Sequence, residues 1–300
     1  MIARGVLLVL LVAILFPGAA GVASAHAGGL SSSASEPRVL RIDPPVPRLD
    51  VRVVEFGARL CLDNGTALPV VVEPLPGSQL SGLPAVAPGA RAYWTDPRIT
   101  MAAARRLPAG ERVGWTIPLR VGDQAVAVRG EQFWPPPPSA AAWWGAALAA
   151  LIIPAVAGIA GAARRWGRVV LAVATGVVLV AHLVHVLGSA VVPEDRNVVV
   201  MVLSAAGYAL LGWPLGGFGI ALTLRGRPAG PLLCCAAGGL FAIVIAPVDA
   251  FTLVDAVVPF AWGGTLDRIL VALTLGGGLG VAAAGVALLR RGTVSERPAA

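Results

Sequence analysis

Lysine is missing altogether: all 23 basic residues of the 300-residue chain are arginine. Charge is scarce as well, at 13% of residues, about half the share of an ordinary soluble domain, so a purely soluble protein is excluded. Cysteine occurs only at Cys61 and at the adjacent pair Cys234-Cys235. Neighbouring cysteines rarely bond each other and Cys61 has no partner in its own part of the chain, so no disulfide framework is expected. Histidine is confined to His26, His182 and His185. The last two share one helical face, which excludes a bis-histidine haem, whose ligands approach from opposite sides. No glycine-rich phosphate loop follows a strand and no set of nucleophile, base and oxyanion donors is visible, so an enzyme is not expected. The net charge of +7 comes without a basic helix or an aromatic-interleaved patch, and nucleic acid is therefore not an expected partner.

Hydrophobic residues, in contrast, make up 57% of the chain, with a mean hydropathy of +0.80. Five apolar runs succeed one another at 140–163, 169–192, 198–224, 231–248 and 266–289. Each has the roughly 20 residues needed to cross a hydrocarbon core, which predicts a five-helix transmembrane bundle over 140–291. Arg164, Arg165 and Arg168, then Arg225 and Arg227, then Arg290 and Arg291 occupy every second connection. The positive-inside rule makes those connections cytoplasmic, together with a tail at 292–300. Triplets of small residues such as Gly276-Gly277-Gly278 in the last run predict close helix approach.

The N-terminus reads as a secretory signal peptide over 1–25: Arg4, an apolar run to Phe16, then Ala23-Ser24-Ala25 with small residues where signal peptidase cuts. Export of the chain beyond residue 25 agrees with the orientation set by the arginines. Residues 26–134 change to period two: Trp115, Ile117, Leu119 and Val121 alternate with Thr116, Pro118 and Arg120. Pro118 suggests an edge strand. Turn residues at Asp63-Asn64-Gly65 and Gly122-Asp123 separate further short strands, and 74–89 reads as a long surface loop. Asn64-Gly65-Thr66 also fits a glycosylation sequon, which turn chemistry explains better. The expected fold is α+β: an extracytoplasmic antiparallel β-sandwich of immunoglobulin-like layout, a Pro-rich spacer at 135–139, and the bundle. Trp143-Trp144 suits the headgroup region and places that domain near the outer surface.

Ionisable groups inside a membrane are costly and mark candidate sites. A rise of about 1.5 Å per residue puts His182 and His185 in the outer half of the second run. Asp249 and Asp255 come after the outward-running fourth run, Asp267 and Arg268 open the fifth, and Met201 lies near the outer start of the third. One reading is a copper or zinc site with His182, His185, Asp249, Asp255 and Met201 as ligands. The other is that the histidines hydrogen-bond neighbouring helices or line a hydrated crevice without a cofactor. A mature N-terminal His26 would offer Cu(II) an amine and an imidazole, and the exported Ala-His start resembles that of CopC-type copper proteins.

Exclusive use of arginine with abundant Ala, Gly and Val suggests a GC-rich, actinobacterial genome. The order of signal peptide, Arg38-Val39-Leu40, Asp43-Pro44-Pro45, Asp63-Asn64-Gly65, Trp115 to Leu119, Trp134 with its prolines, and five spans resembles uncharacterised exported membrane proteins of actinobacteria. Where that group carries a Trp-His-Asp-His-Arg motif, this chain has Trp94-Thr95-Asp96-Pro97-Arg98. Both histidines are missing, so a metal role for them would be lost, and Trp94 and Arg98 are expected to be structural. The expected function is a non-enzymatic plasma-membrane component whose exported domain binds a membrane or extracytoplasmic protein, with metal homeostasis or ion transport as the alternative. Five spans are few for a self-sufficient transporter, so a homo-oligomer or a partner subunit is a further expectation.

Overall fold

The computed structural model describes residues 30–75 and 85–295, with side chains to 291. The expected signal peptide, His26, the middle of the expected loop at 74–89 and the end of the tail lie outside them. Two compact units result, one holding residues 32–138 with Asp255–Pro259, the other Ser139–Val254 and the chain from Phe260 onward.

Among the described residues the first unit contains seven strands: β1 (Glu36–Asp43), β2 (Leu49–Val54), β3 (Arg59–Asn64), β4 (Val70–Val72), β5 (Arg91–Trp94), β6 (Arg112–Val121) and β7 (Gln124–Phe133). They form two antiparallel sheets, ordered β1-β7-β6-β4 and β2-β3-β5. Alternation in β6 works as expected, since Trp115, Ile117, Leu119 and Val121 are all buried. Their neighbours in one apolar core come from both sheets, among them Leu60 and Leu62 of β3 and Val126 and Val128 of β7. Gly130 pairs with Trp115 and lies under its indole, where any Cβ would fall on the ring. Ser33 and Val257 exchange backbone hydrogen bonds at 2.9 Å in both directions, attaching 255–259 to this unit.

Pro118 does not mark an edge, because β6 has β7 on one side and β4 on the other. Proline is tolerated there because β4 is ending: Glu73 N–H donates to the Pro118 carbonyl at 3.0 Å, and Arg98 Nη2 donates to the Glu73 carbonyl at 2.8 Å, the acceptor that proline cannot serve. Arg98 belongs to a short helix α1 (Pro97–Ala103) capped by Asp96, whose Oδ1 accepts from Arg98 N–H at 2.9 Å. Trp94 Nε1 also donates to Asp96, so the Trp-Thr-Asp-Pro-Arg sequence is a structural corner. Asn64 is buried and its amide donates to the Leu68 and Val86 carbonyls, fixing the bend that leads from one sheet to the other. Cys61 is fully buried, and burial pushes its thiol up.

The second unit contains α2 (Ala140–Gly161), α3 (Arg165–Ala190), α4 (Val198–Ala206), α5 (Ala209–Leu224), α6 (Ala229–Gly239) and α7 (Gly264–Ser295). Among the described residues, four helices are long and apolar enough to cross a membrane, or five if α4 and α5 count as one broken span. The run expected as one helix at 198–224 bends by 73° at Gly207, which adopts a positive φ of 45°. α7 packs on three neighbours through its small residues. Gly276, Gly280 and Ala284 recur every fourth residue and meet Ala147, Pro154 and Gly158 of α2. Gly277 faces Val178 of α3, Gly278 faces Gly238 of α6, and Gly285 faces Cys235 of α6. The paired cysteines are thus packing residues, with Cys234 against Gly219 of α5.

These contacts set the cost of substituting the glycines. Gly276→Val would drive its Cβ onto the Ala147 carbonyl and should cost about 3 kcal/mol or more, whereas Gly217→Ala, with open space at its Cβ, should be neutral or stabilising by about 1 kcal/mol; thermal unfolding in detergent compares them. In the β unit, hydrogen bonds from Arg91 and then Arg52 hold the Asp63 carboxyl below the usual range. A carboxyl with a lower pKa folded than unfolded stabilises above the unfolded value and stops doing so as pH falls through the folded one. Asp63→Asn should therefore cost about 1 kcal/mol or less at neutral pH and nothing in strong acid, read by hydrogen exchange of the β3 and β5 amides.

Candidate functional site

The buried face of α3 carries His182 and His185, three residues apart, both 3% exposed. Past Gly239 the continuation of α6 widens into a π-helical stretch at Leu240–Ile245, then tightens into 3-10 turns at Ala246–Val248 and Ala250–Leu253. Such π segments recur at functional sites, and this one ends by presenting Asp249 to α3. Asp267 comes from the first turn of α7, where the positive end of the helix dipole favours a carboxylate.

His185 is clamped between the two acids. Its Nδ1 lies 2.6 Å from Asp267 Oδ1, and its Nε2 lies 3.4 Å from Asp249 Oδ2. With Asp267 ionised, Nδ1–H donates to it, and a proton on Nε2 faces Asp249. The ring of Phe260 stacks on His185 with centroids 6.2 Å apart and 10° between planes. Phe260 can lie there because Gly188, one turn further along α3, has no side chain in its way, and Ala261 N–H donates to the Gly188 carbonyl at 3.1 Å. Arg268, 8% exposed, donates from Nε to the Thr252 carbonyl at 3.0 Å, and Thr252 N–H donates to the Asp249 carbonyl, so the guanidinium is tied to the turn bearing Asp249.

Two aspartates, one arginine and a protonated His185 sum to zero charge. Loss of that proton would leave one net negative charge in a buried, apolar surrounding, which is unfavourable. His182 continues the polar row away from the acids, packed against Trp213 and Phe241 at centroid distances of 5.7 and 5.0 Å. His182 Nδ1, Trp213 Nε1, Ser189 Oγ and Thr252 Oγ1 are buried polar atoms without a hydrogen-bond partner among the described residues. Buried polar atoms are nearly always satisfied, so these four call for ordered water or another partner.

Of the residues expected as ligands, His182, His185 and Asp249 do come together. Asp255 belongs to the β unit, where its Oδ2 accepts from Ser32 Oγ at 2.6 Å. Met201 is buried against Ala190, Val202 and Ala205 in a separate apolar cluster. Among the described residues no group of three or more His, Cys, Asp or Glu is arranged to hold a metal, since both His185 nitrogens already face carboxylates. Asp267 was outside the expected ligand set, although its place as the sole acid within the last apolar run was a signal. Trp213 gave no signal, since a tryptophan in an apolar run reads equally well as packing or as an interface anchor.

Because a buried charge that loses one partner is strongly destabilised, Asp267→Asn should cost about 3–5 kcal/mol in thermal or denaturant unfolding of the purified protein. Asp249→Asn, at the longer contact, should cost less. Replacing His185 by Leu together with Asp249→Asn, Asp267→Asn and Arg268→Met should recover much of the loss, because the whole ionic set then disappears at once.

No family model matches the chain, and neither a curated protein nor a solved structure matches it significantly.

Proposed function

We propose that this chain is a non-enzymatic, multi-pass protein of the plasma membrane whose helical unit binds and passes protons through His185, with Asp249 and Asp267 as its exchange partners. The observation that carries the reading is one imidazole held between two carboxylates inside a set of apolar helices. Ionisable groups in such surroundings are retained for proton relays, ion pathways or counter-ions, because their desolvation is otherwise a loss. Buried atoms at His182, Trp213, Ser189 and Thr252 support a hydrated path leading to the cluster.

In this reading the β unit is an extracytoplasmic sandwich that presents a surface to a membrane or exported protein, and the arginine-bearing connections and C-terminus are cytoplasmic. The shared apolar core of the two sheets supports the sandwich, and the alternation of arginines along the chain supports the orientation. An imidazole with both nitrogens on carboxylates has none left to serve a substrate or a metal, which favours proton exchange over catalysis or copper binding.

The test is proton movement in proteoliposomes carrying a pH-sensitive dye, under an imposed potential. Wild type should acidify or alkalinise the lumen with the sign of the potential, and His185→Gln, checked for folding by size-exclusion chromatography, should fall to the protein-free leak. Equal flux in wild type and variant, or none in either, would sink the proposal.

A further inference from the structure

At the opposite end of α3 from the histidines, the second unit contains a cavity of about 550 Å³, within the size range of ligand pockets. Five arginines line it: Arg164, Arg165 and Arg168 at the start of α3, Arg227 before α6, and Arg291 near the end of α7. The fully buried Thr223 of α5 lines it as well. Three separate stretches of sequence therefore send their cations to one place.

Among the described residues no carboxylate pairs with this charge. The sequence holds no Asp or Glu between Glu131 and Glu194, between Asp195 and Asp249, or between Asp267 and Glu296. Among the described residues none of the five arginines is ion-paired, unlike eight arginines that are, such as Arg52, Arg98 and Arg129. Two helices start at the cavity, α3 at Arg165 and α6 at Ala229, and two end there, α2 at Gly161 and α5 at Leu224, so the helix dipoles oppose one another and the arginines set the sign of the field. Arg168 is held over the connection after α5, its Nη1 2.6 Å from where a Cβ at Gly226 would lie. Gly226 is thus the residue that admits the guanidinium. A preference for arginine in cytoplasmic connections accounts for their number but not for this convergence, since Arg225 and Arg290 of the same connections do not line the cavity.

We infer that the cavity is a binding site for a phosphoryl-bearing anion, either a phospholipid headgroup or a soluble phosphate compound. Guanidinium forks match phosphate oxygens bidentately, and five of them around a concave surface make a site for more than one negative charge. Basic pockets between membrane helices are a recognised form of headgroup site. The site lies about 20 Å along α3 from His182, so it stands independently of the proton reading.

The full-length protein in phosphatidylcholine nanodiscs, titrated with inorganic pyrophosphate by calorimetry, tests the soluble source. Nanodiscs containing phosphatidylglycerol or cardiolipin, read by native mass spectrometry for retained lipid, test the membrane source. Binding in either arm is expected, weakened about tenfold or more by Arg168→Gln with Arg227→Gln. Arg225→Gln with Arg290→Gln removes the same charge outside the cavity and should change affinity by less than about twofold. If the cavity double variant does not fold, Arg168→Gln and Arg227→Gln are compared singly. Binding in neither arm, or equal weakening by both pairs of substitutions, overturns the inference.

Discussion

The second unit depends on how closely α7 approaches its neighbours. Small residues on three sides of one helix let backbones come within direct contact, with Gly276 against the Ala147 carbonyl region of α2 and Gly278 against Gly238 of α6. Where helices lie in lipid, such contact replaces the hydrophobic drive that water supplies to soluble cores. Once α7 is seated in this way, its first turn is fixed beside α3, and Asp267 has one place to be. The glycine stripe is therefore the cause of the ionic cluster's geometry as well as of the helix packing.

That cluster is costly to bury, and its composition limits what it can do. Two carboxylates, a guanidinium and an imidazole balance only when the two acids and the ring hold one proton between them, so a single proton sets the net charge of the cluster. The irregular return after Gly239, with its π and 3-10 turns, contributes Asp249 without requiring another full helix. Phe260 packs on the His185 ring and Phe241 against the His182 ring.

The β unit is held together differently. Its two sheets share one core, while its charges pair on the outside: Arg52 and Arg91 with Asp63, Arg112 with Glu131, Arg129 with Asp43. Exposed pairs of this kind add little each and leave the surface soluble. Two pairs are buried instead: Arg59 with Glu55, and Arg98, which holds Asp96 and also takes the Glu73 carbonyl left over by Pro118, so that one side chain completes both a helix cap and a sheet edge. Within Trp94-Thr95-Asp96-Pro97-Arg98, that arrangement gives each conspicuous residue a structural role.

Much was legible in the residues alone. Period-two burial in Trp115, Ile117, Leu119 and Val121 and the long apolar runs after 139 are local patterns, and local patterns survive folding because each residue's own polarity imposes them. His182 and His185 share a face for the same reason, through helical spacing. The hidden part required distant segments to meet: β6 lies between two strands although it contains Pro118, the run 198–224 breaks at Gly207, and Asp267 rather than Asp255 takes His185. Sequence determined which groups would be costly to bury. Only tertiary packing decided which of them face one another, because partner choice among buried charges is set by helix contacts that no local spacing encodes.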